Sequence, residues 1–230
     1  MESVRMRPTV LRGTVTRDAL LDAAESLLAD YGFRTPSHRM IASLADVHVA
    51  LVNYHFNSKE LLFEAAVERR AARLIELWRN ALNGVRLKPS FTVDAVLSAW
   101  WHPFGSFDID DGGAWRNYLC VVARLASAKD GEDWHARHFG KVDQDFLDAL
   151  AEAMPIVAPE DRDAGFRYAR CLFGEVLLYR CGKTGGTCRP RGFREDDIER
   201  LIQYLSSGFA GLQSTLSVAA AHVQPAPSTG

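Results

Sequence analysis

Apolar residues recur at helical spacing along almost the whole chain of 230 residues, and no segment alternates as a strand would. Leu20, Ala24, Leu27, Leu28 and Tyr31 fall at positions i, i+4, i+7, i+8 and i+11, which places them on one face of a helix. We expect Thr16 to cap the start of this first helix and Gly32 to follow its last residue. The spacing therefore predicts an all-α protein.

Two short helices and a long one are expected to follow. Thr35-Pro36 favours a second helix that ends near residue 44, because threonine can cap and proline at the first helical position loses no hydrogen bond. Residues 45–47 predict a tight break, in which Asp46 tolerates the left-handed conformation better than most residues do. A third helix covers residues 48–55. Ser58 is expected to cap a fourth helix that runs to about residue 83 and spans about 39 Å. We expect Gly84 to close this helix.

The rest of the chain also has helical periodicity, interrupted by glycine, proline and aspartate residues. This pattern predicts five further helices, at residues 92–104, 113–129, 132–153, 160–181 and 195–217. The last segment, residues 218–230, has little apolar content beyond small side chains, and we expect it to be a disordered tail.

Charge and hydropathy set limits on the partners of this chain. The formal net charge is -2 at pH 7, so the charge of the whole molecule does not predict nucleic-acid binding. Residues 1–15 are nevertheless expected to be a flexible basic arm with Arg5, Arg7 and Arg12. Such an arm could lie along phosphates or in a minor groove, or serve only as a solubilising tail. No apolar run could cross a membrane and no secretory signal is visible, so a cytoplasmic protein with no membrane partner is expected.

The residue patterns predict neither a metal site nor an enzyme. The four cysteines include no CxxC pair, which argues for reduced thiols, with a redox switch between Cys181 and Cys188 as the alternative. His135 and His138 have the i, i+3 spacing of a metal-binding pair, but a surface or capping role is the preferred interpretation. GxSxG and GxGxxG motifs are both absent, and no cofactor is expected.

Several short motifs occur together in residues 16–66: Gly32-Phe33, Ile41-Ala42, Ala45-Asp46-Val47, the tract Val52-Asn53-Tyr54-His55-Phe56-Asn57-Ser58-Lys59-Glu60, and Leu62. In this combination the segment resembles the TetR family of bacterial transcriptional regulators. The resemblance implies a three-helix helix-turn-helix DNA-binding domain over residues 16–62, joined by the long helix to a helical ligand-binding and dimerisation domain over residues 63–217. The chain departs from the family at Asp46, where glycine is usual, and at residues 48–51, where hydrogen-bonding side chains are more common.

The resemblance also implies which residues contact double-stranded DNA. Arg39 matches a position that often reaches a base edge, where its guanidinium could pair with guanine. Leu51 could touch a thymine methyl group or simply pack in the core, and Ser37 could contact DNA or act only as a cap. The full set implied by the resemblance is Ser37, Arg39, His48, Val49, Ala50, Leu51, Asn53, Tyr54, His55 and Lys59. The last four match positions that commonly touch phosphate.

The resemblance implies a pocket for a small molecule in the second domain. Its expected lining is mostly aromatic and consists of Trp78, Trp101, Phe104, Trp115, Tyr118, Arg124 and Phe173. The polar groups that could orient a ligand are His102, Asn117, Arg124 and Arg170. The alternative is that these aromatic side chains fill a core, as aromatic residues at helical spacing usually do.

The last two helices are expected to form a homodimer interface. Its apolar residues are Leu172, Val176, Leu201, Leu205 and Phe209. A two-fold dimer would present two DNA-reading heads about 34–36 Å apart and would favour a palindromic operator. The resemblance thus implies a ligand-responsive repressor, released by a small hydrophobic or aromatic effector. An activator or ligand-independent regulator of the same fold is the alternative, and an all-helical enzyme is a further one.

Overall fold

The computed structural model describes residues 8–105, 113–127, 132–180 and 196–221. Within these ranges all regular secondary structure is helical, which confirms the predicted all-α class. The described helices are α1 (Pro8–Tyr31), α2 (His38–Leu44), α3 (Val49–Phe56), α4 (Lys59–Arg86), α5 (Val93–Gly105), α6 (Ala114–Ser127), α7 (Glu132–Ala153), α8 (Pro159–Arg180) and α9 (Asp196–Ala221). The first seven residues of the predicted basic arm, the end of the tail from residue 222, Cys181 and Cys188 lie outside the described ranges.

Helices α1, α2 and α3 form the N-terminal head of the molecule. Two of the N-caps predicted for these helices are wrong. Thr16 does not cap α1, because the helix already begins at Pro8. Ser37 rather than Thr35 caps α2, since its side chain accepts a hydrogen bond from the backbone N–H of Met40 at 3.3 Å. Ser58 caps α4 as predicted, by accepting from Leu61 N–H at 3.2 Å. Hydroxyl caps of this kind satisfy N–H groups that have no partner within the helix.

The turn between α2 and α3 is closed by backbone hydrogen bonds. Asp46 has φ +51°, so the left-handed conformation expected for this aspartate is present. The N–H of Val47 donates to the carbonyl of Ala42 at 2.9 Å. Val52 and Phe56 of α3 then pack, almost wholly buried, into the core of the head.

Helix α4 connects the head to the rest of the molecule. It has 28 residues and passes through Gly84, the residue expected to end it. At 1.5 Å per residue it is about 42 Å long. Its buried residues include Leu62 near the head, Leu74 in the middle and Leu82 near the far end.

Helices α5–α9 form the core domain. Helix α6 packs against α8 and also against α1 of the head, while α4 packs against α5 and α7. Helix α9 extends to Ala221, past the end predicted at residue 217, and packs against α5 and α8. Among the described residues, no helix combines the length and the apolar content needed to cross a bilayer.

Candidate DNA-binding surface, core cavity and interhelical groove

The N-terminal end of α3 and the preceding turn present a mixed polar and apolar surface. Arg39, His48 and Ala50 are exposed, whereas Val49 is half-buried and packs against the core of the head. The Nδ1 atom of His48 accepts a hydrogen bond from Ala50 N–H at 3.2 Å, so this histidine caps α3. Because Nδ1 is used in the cap, Nε2 is the ring nitrogen that would be available to contact DNA. Leu51 is half-buried.

The residues expected to touch phosphate lie along α3 and the start of α4. Tyr54 is 79% exposed, Asn53 is exposed, and His55 is half-buried with its ring 5.1 Å from that of Tyr54. Lys59 is already engaged, because its Nζ donates to the carbonyl of Phe33 at 3.4 Å and lies 5.7 Å from the centre of the Phe63 ring. A phosphate contact from Lys59 would therefore compete with a contact within the protein.

The aromatic side chains expected to line a pocket are tightly packed in the core domain. Trp78 stacks on Trp100 at 4.2 Å between ring centres and donates its indole N–H to the carbonyl of Trp100 at 2.8 Å. Tyr118 donates its hydroxyl to the carbonyl of Val67 at 2.8 Å, and burial raises the pKa of this phenol. Trp101 and Trp115 are also buried. Polar atoms of Trp78 and Tyr118 thus already have partners within the protein.

Arg124 lies at the boundary between the core domain and the head. Its Nε donates to the carbonyl of Ala29 at 2.8 Å, and its Nη2 donates to the carbonyl of Asp30 at 3.0 Å. Both carbonyls belong to the last turn of α1, where helical acceptors lack partners within the helix. Arg124, which was expected to orient a ligand, therefore joins α6 to α1 of the head.

The head makes another polar contact, between α1 and α4, which the sequence analysis does not predict. Glu25, which is 1% exposed, accepts from Arg69 Nε at 2.9 Å and lies 3.4 Å from Arg70 Nε. Burial raises the pKa of Glu25, and the two guanidinium groups act in the opposite direction. The sequence does indicate that Glu25 is buried, because it falls on the same helical face as Leu21 and Leu28. A buried carboxylate needs a cationic partner.

The core domain contains a small cavity next to a buried polar cluster. The cavity has a volume of about 10 Å³, close to the space that one water molecule occupies, and lies among Trp100, Phe104, Phe173, His135 and Arg170. Two of the seven residues expected to bind ligand, Phe104 and Phe173, therefore line it.

The polar cluster consists of His135, Asp143 and Arg170. His135 Nε2 lies 2.9 Å from Asp143 Oδ2 and 2.6 Å from Arg170 Nη1, and Arg170 also pairs with Asp143. Within the described part of the chain, His135 Nδ1, Asp143 Oδ1 and Arg170 Nε are buried without a hydrogen-bond partner. Such atoms are costly to leave unsatisfied, so the cluster has spare capacity to bind a polar group.

An open groove of about 600 Å³ lies between α8 and α9. Leu205 and Phe209, two of the residues expected at a dimer interface, line it from α9. The groove is bordered by exposed aromatic side chains, with Tyr168 62% and Tyr204 73% exposed. Leu172 is 41% exposed, and Val176 and Leu201 are half-buried.

The two family models that match the chain correspond to its two structural parts. Residues 20–66 match the model of bacterial regulatory proteins of the tetR family, and residues 98–211 match the model of the tetracyclin repressor-like C-terminal domain. The matches together include most of the chain and fall on the head and on the core domain respectively.

Curated relatives and solved structures agree with these matches. The HTH-type transcriptional regulators UidR of Escherichia coli and Shigella flexneri are 26% identical over 90 residues, which are 39% of this chain and 45% of each relative. The chain thus matches less than half the length of these regulators. A transcriptional regulator from Pseudomonas aeruginosa has a TM-score of 0.55 at 19% identity, covering 91% of this chain and 93% of its own. A TetR-like regulator from Rhodococcus gives 0.55 at 18%, with 90% and 100% covered. At this identity the solved structures establish the fold.

Proposed function

Because the chain belongs to the tetR family of bacterial regulatory proteins and is a DNA-binding transcriptional regulator, we propose that it is a repressor released from its operator by a small effector. The observation that carries this proposal is the pair of hydrogen bonds from Arg124 to the last turn of α1. A shift of α6 upon effector binding would act directly on the head through these bonds. Release requires that the effector bind the released conformation more tightly than the DNA-bound one.

We assign DNA recognition to the exposed surface that α2 and α3 share. Arg39 is exposed and would pair with a guanine, while Ala50 and Leu51 would contact thymine methyl groups. Asn53 and Tyr54 would position the head by contacts to phosphate. The small number of hydrogen-bonding side chains on α3 supports a recognition mode in which Arg39 supplies the main polar base contact.

The effector site that fits best is the core cavity. Its aromatic walls suit a small hydrophobic or aromatic molecule, and the polar cluster supplies buried groups that could fix the orientation of a polar substituent. A volume of about 10 Å³ is far below that of any such molecule, so the walls must move apart for it to enter. Helix α6 also lines the cavity, through Val122, Ala123 and Ala126. Because Arg124 lies on the same helix, a movement of this wall would be transmitted to Arg124.

We further propose that the chain acts as a homodimer joined through α8 and α9. The groove between these helices is bordered by the exposed Tyr168 and Tyr204, and the exposed Leu172 also belongs to α8. Large exposed apolar patches of this kind commonly mark protein interfaces. A two-fold dimer would place two heads on successive turns of a near-palindromic operator.

The first experiment is a gel shift with the purified protein and its own upstream DNA, across a salt series with competitor DNA. We expect a specific complex that Arg39→Ala weakens by about 1–3 kcal/mol, or roughly 5- to 150-fold in Kd. Lys88→Ala is the matched control, because it removes an equal charge from an exposed residue just beyond the far end of α4. Equal effects of the two variants would refute base recognition by Arg39.

Repression and activation are separated by a reporter gene placed behind the same upstream DNA. We expect reporter expression to rise when the regulator is deleted and to fall when it is restored. A fall upon deletion would show an activator instead.

A compound that raises the melting temperature of the protein and also dissociates the specific complex would identify an effector.

The dimer is tested by light scattering across a range of concentrations. We expect Leu172→Glu to shift the protein toward the monomer, because it places a charge on the proposed interface. Leu87→Glu is the control, since Leu87 is 87% exposed and lies at the end of α4. A protein that remains dimeric with Leu172→Glu, or is monomeric without substitution, would contradict the proposed interface.

A further inference from the structure

Two helices that belong to different parts of the molecule bring together three side chains with metal-binding atoms. Glu64 and Glu68 lie one turn apart on the same face of α4, and His138 lies on α7. One ligand atom from each residue lies within 4.8 Å of the other two. We propose that Glu64, Glu68 and His138 bind a divalent transition-metal ion such as Zn²⁺ and thereby fasten α4 to α7.

The chemistry of the three side chains suits such an ion. Zinc accepts imidazole nitrogen and carboxylate oxygen at about 2.0–2.2 Å, and three protein ligands leave one coordination position for water. Because Glu68 is exposed and Glu64 is only partly buried, both carboxylates can rotate toward a common centre. Two carboxylates also supply the negative charge that offsets the ion.

A second observation concerns the histidine itself. The Nε2 atom of His138 is buried and has no hydrogen-bond partner among the described residues. Buried polar atoms without a partner are uncommon, and coordination to an ion, directly or through a bound water, would satisfy this one. The unused atom distinguishes this group from an ordinary cluster of charged side chains on a surface.

One contact competes with the ion. Arg137 Nη1 lies 2.7 Å from Glu64 Oε1, and its side chain is 52% exposed. Exposed ion pairs of this kind stabilise a protein little, so Arg137 can turn into solvent when Glu64 binds a metal. Removing Arg137 should therefore strengthen metal binding.

The position of the site gives it a regulatory consequence, which rests on the proposed repressor function. Glu64 lies in the second turn of α4, close to Lys59 and to the head, whereas α7 belongs to the core domain. An ion between the two helices would restrict the movement by which the head changes its position. Metal binding should therefore change operator affinity.

The site is tested on the full chain, freed of affinity tags and of metal by a chelator, by titration with ZnSO₄ in a calorimeter. We expect one ion per chain and a higher melting temperature with zinc. His138→Asn and Glu68→Gln should each weaken this binding by at least tenfold, and Arg137→Ala should strengthen it. Glu76→Gln, which removes another exposed carboxylate from α4, is the control and should bind zinc normally.

Melting curves of the metal-free variants show whether each one folds. Unchanged zinc binding by the His138→Asn and Glu68→Gln variants, or the absence of binding at one ion per chain, would overturn the site. Gel shifts with and without zinc then test the regulatory consequence separately. An operator affinity that zinc leaves unchanged would remove the link to DNA binding, whereas a failure of all DNA binding would count against the repressor and not against the metal site.

Discussion

Arg124 donates a hydrogen bond from its Nε to the backbone carbonyl of Ala29 at 2.8 Å and so joins α6 to the last turn of α1. A second bond runs from the same guanidinium to the carbonyl of Asp30 at 3.0 Å. A cation at the C-terminus of a helix also interacts favourably with the helix dipole. The core domain and the DNA-binding head are therefore in direct polar contact.

Replacing Arg124 by alanine should lower the free energy of unfolding by about 1.5–3 kcal/mol, because charged hydrogen bonds are lost and two carbonyls lose a donor. Chemical denaturation monitored by circular dichroism measures this loss. Arg116→Ala is the control on the same helix, since Arg116 is exposed and its removal should change stability by at most about 0.5 kcal/mol. If both variants unfold alike, the bonds to α1 contribute nothing, and the contact of Glu25 with Arg69 becomes the main polar link to the head.

The left-handed Asp46 in the turn before α3 gives a second prediction. With φ +51°, this position suits glycine better than any residue with a Cβ atom, and aspartate better than alanine. We expect Asp46→Gly to be about 1 kcal/mol more stable than Asp46→Ala in thermal unfolding. An alanine variant as stable as the glycine variant would show that the turn adopts another conformation in solution.

The turn also shows what the sequence could predict and what it could not. Helical spacing and a polar break placed α2, α3 and the left-handed Asp46 correctly, because these features depend on neighbouring residues. Thr35 and Ser37 are both good capping residues, and only the path of the chain decides that Ser37 caps α2. Gly84 favours an end to α4, but the helix continues to Arg86, whose Nη2 donates to Glu152 of α7 at 2.9 Å.

The core domain was harder to predict for a physical reason. The sequence identified Trp78, Trp101 and Tyr118 as large buried side chains but could not show whether they surround a cavity or fill it. That outcome depends on contacts between distant segments, such as the stacking of Trp78 on Trp100. The polar cluster escapes prediction for the same reason, because Arg170 of α8 meets His135 and Asp143 of α7 only through the packing of these two helices.

Gly165 on α8 gives a third prediction, which concerns packing against α9. A Cβ atom at this position would lie 2.4 Å from Cε1 of the buried Phe209 ring, so the ring would have to move. We expect Gly165→Ala to lower the free energy of unfolding by about 1–3 kcal/mol, despite the better helix propensity of alanine. Gly140→Ala on α7 is the control, because a Cβ atom there meets nothing within 4 Å and should stabilise the helix.

A comparison with Gly208 on α9 separates packing within one chain from packing between two. A Cβ atom at Gly208 also meets nothing within 4 Å, although this glycine lines the groove between α8 and α9. Gly208→Ala should leave the unfolding of the monomer unharmed but weaken the dimer in light scattering, if a second chain covers the groove. A more stable monomer and an unchanged dimer constant would place the partner elsewhere.

The buried Asp143 gives the last prediction, because it is the only acid in the polar cluster. Its side chain is 12% exposed, and it is paired with Arg170, whose side chain is 17% exposed. Removing one member of a buried ion pair leaves the other charge uncompensated, so Asp143→Ala should lower the free energy of unfolding by about 3–5 kcal/mol. Asp145→Ala is the control on the same helix. Its carboxylate pairs with Arg79 at 3.2 Å, where both side chains are at least 34% exposed, and it should cost at most about 1 kcal/mol. Equal losses in the two variants would mean that Arg170 reaches solvent, and the polar cluster would then be a poor candidate for holding an effector away from water.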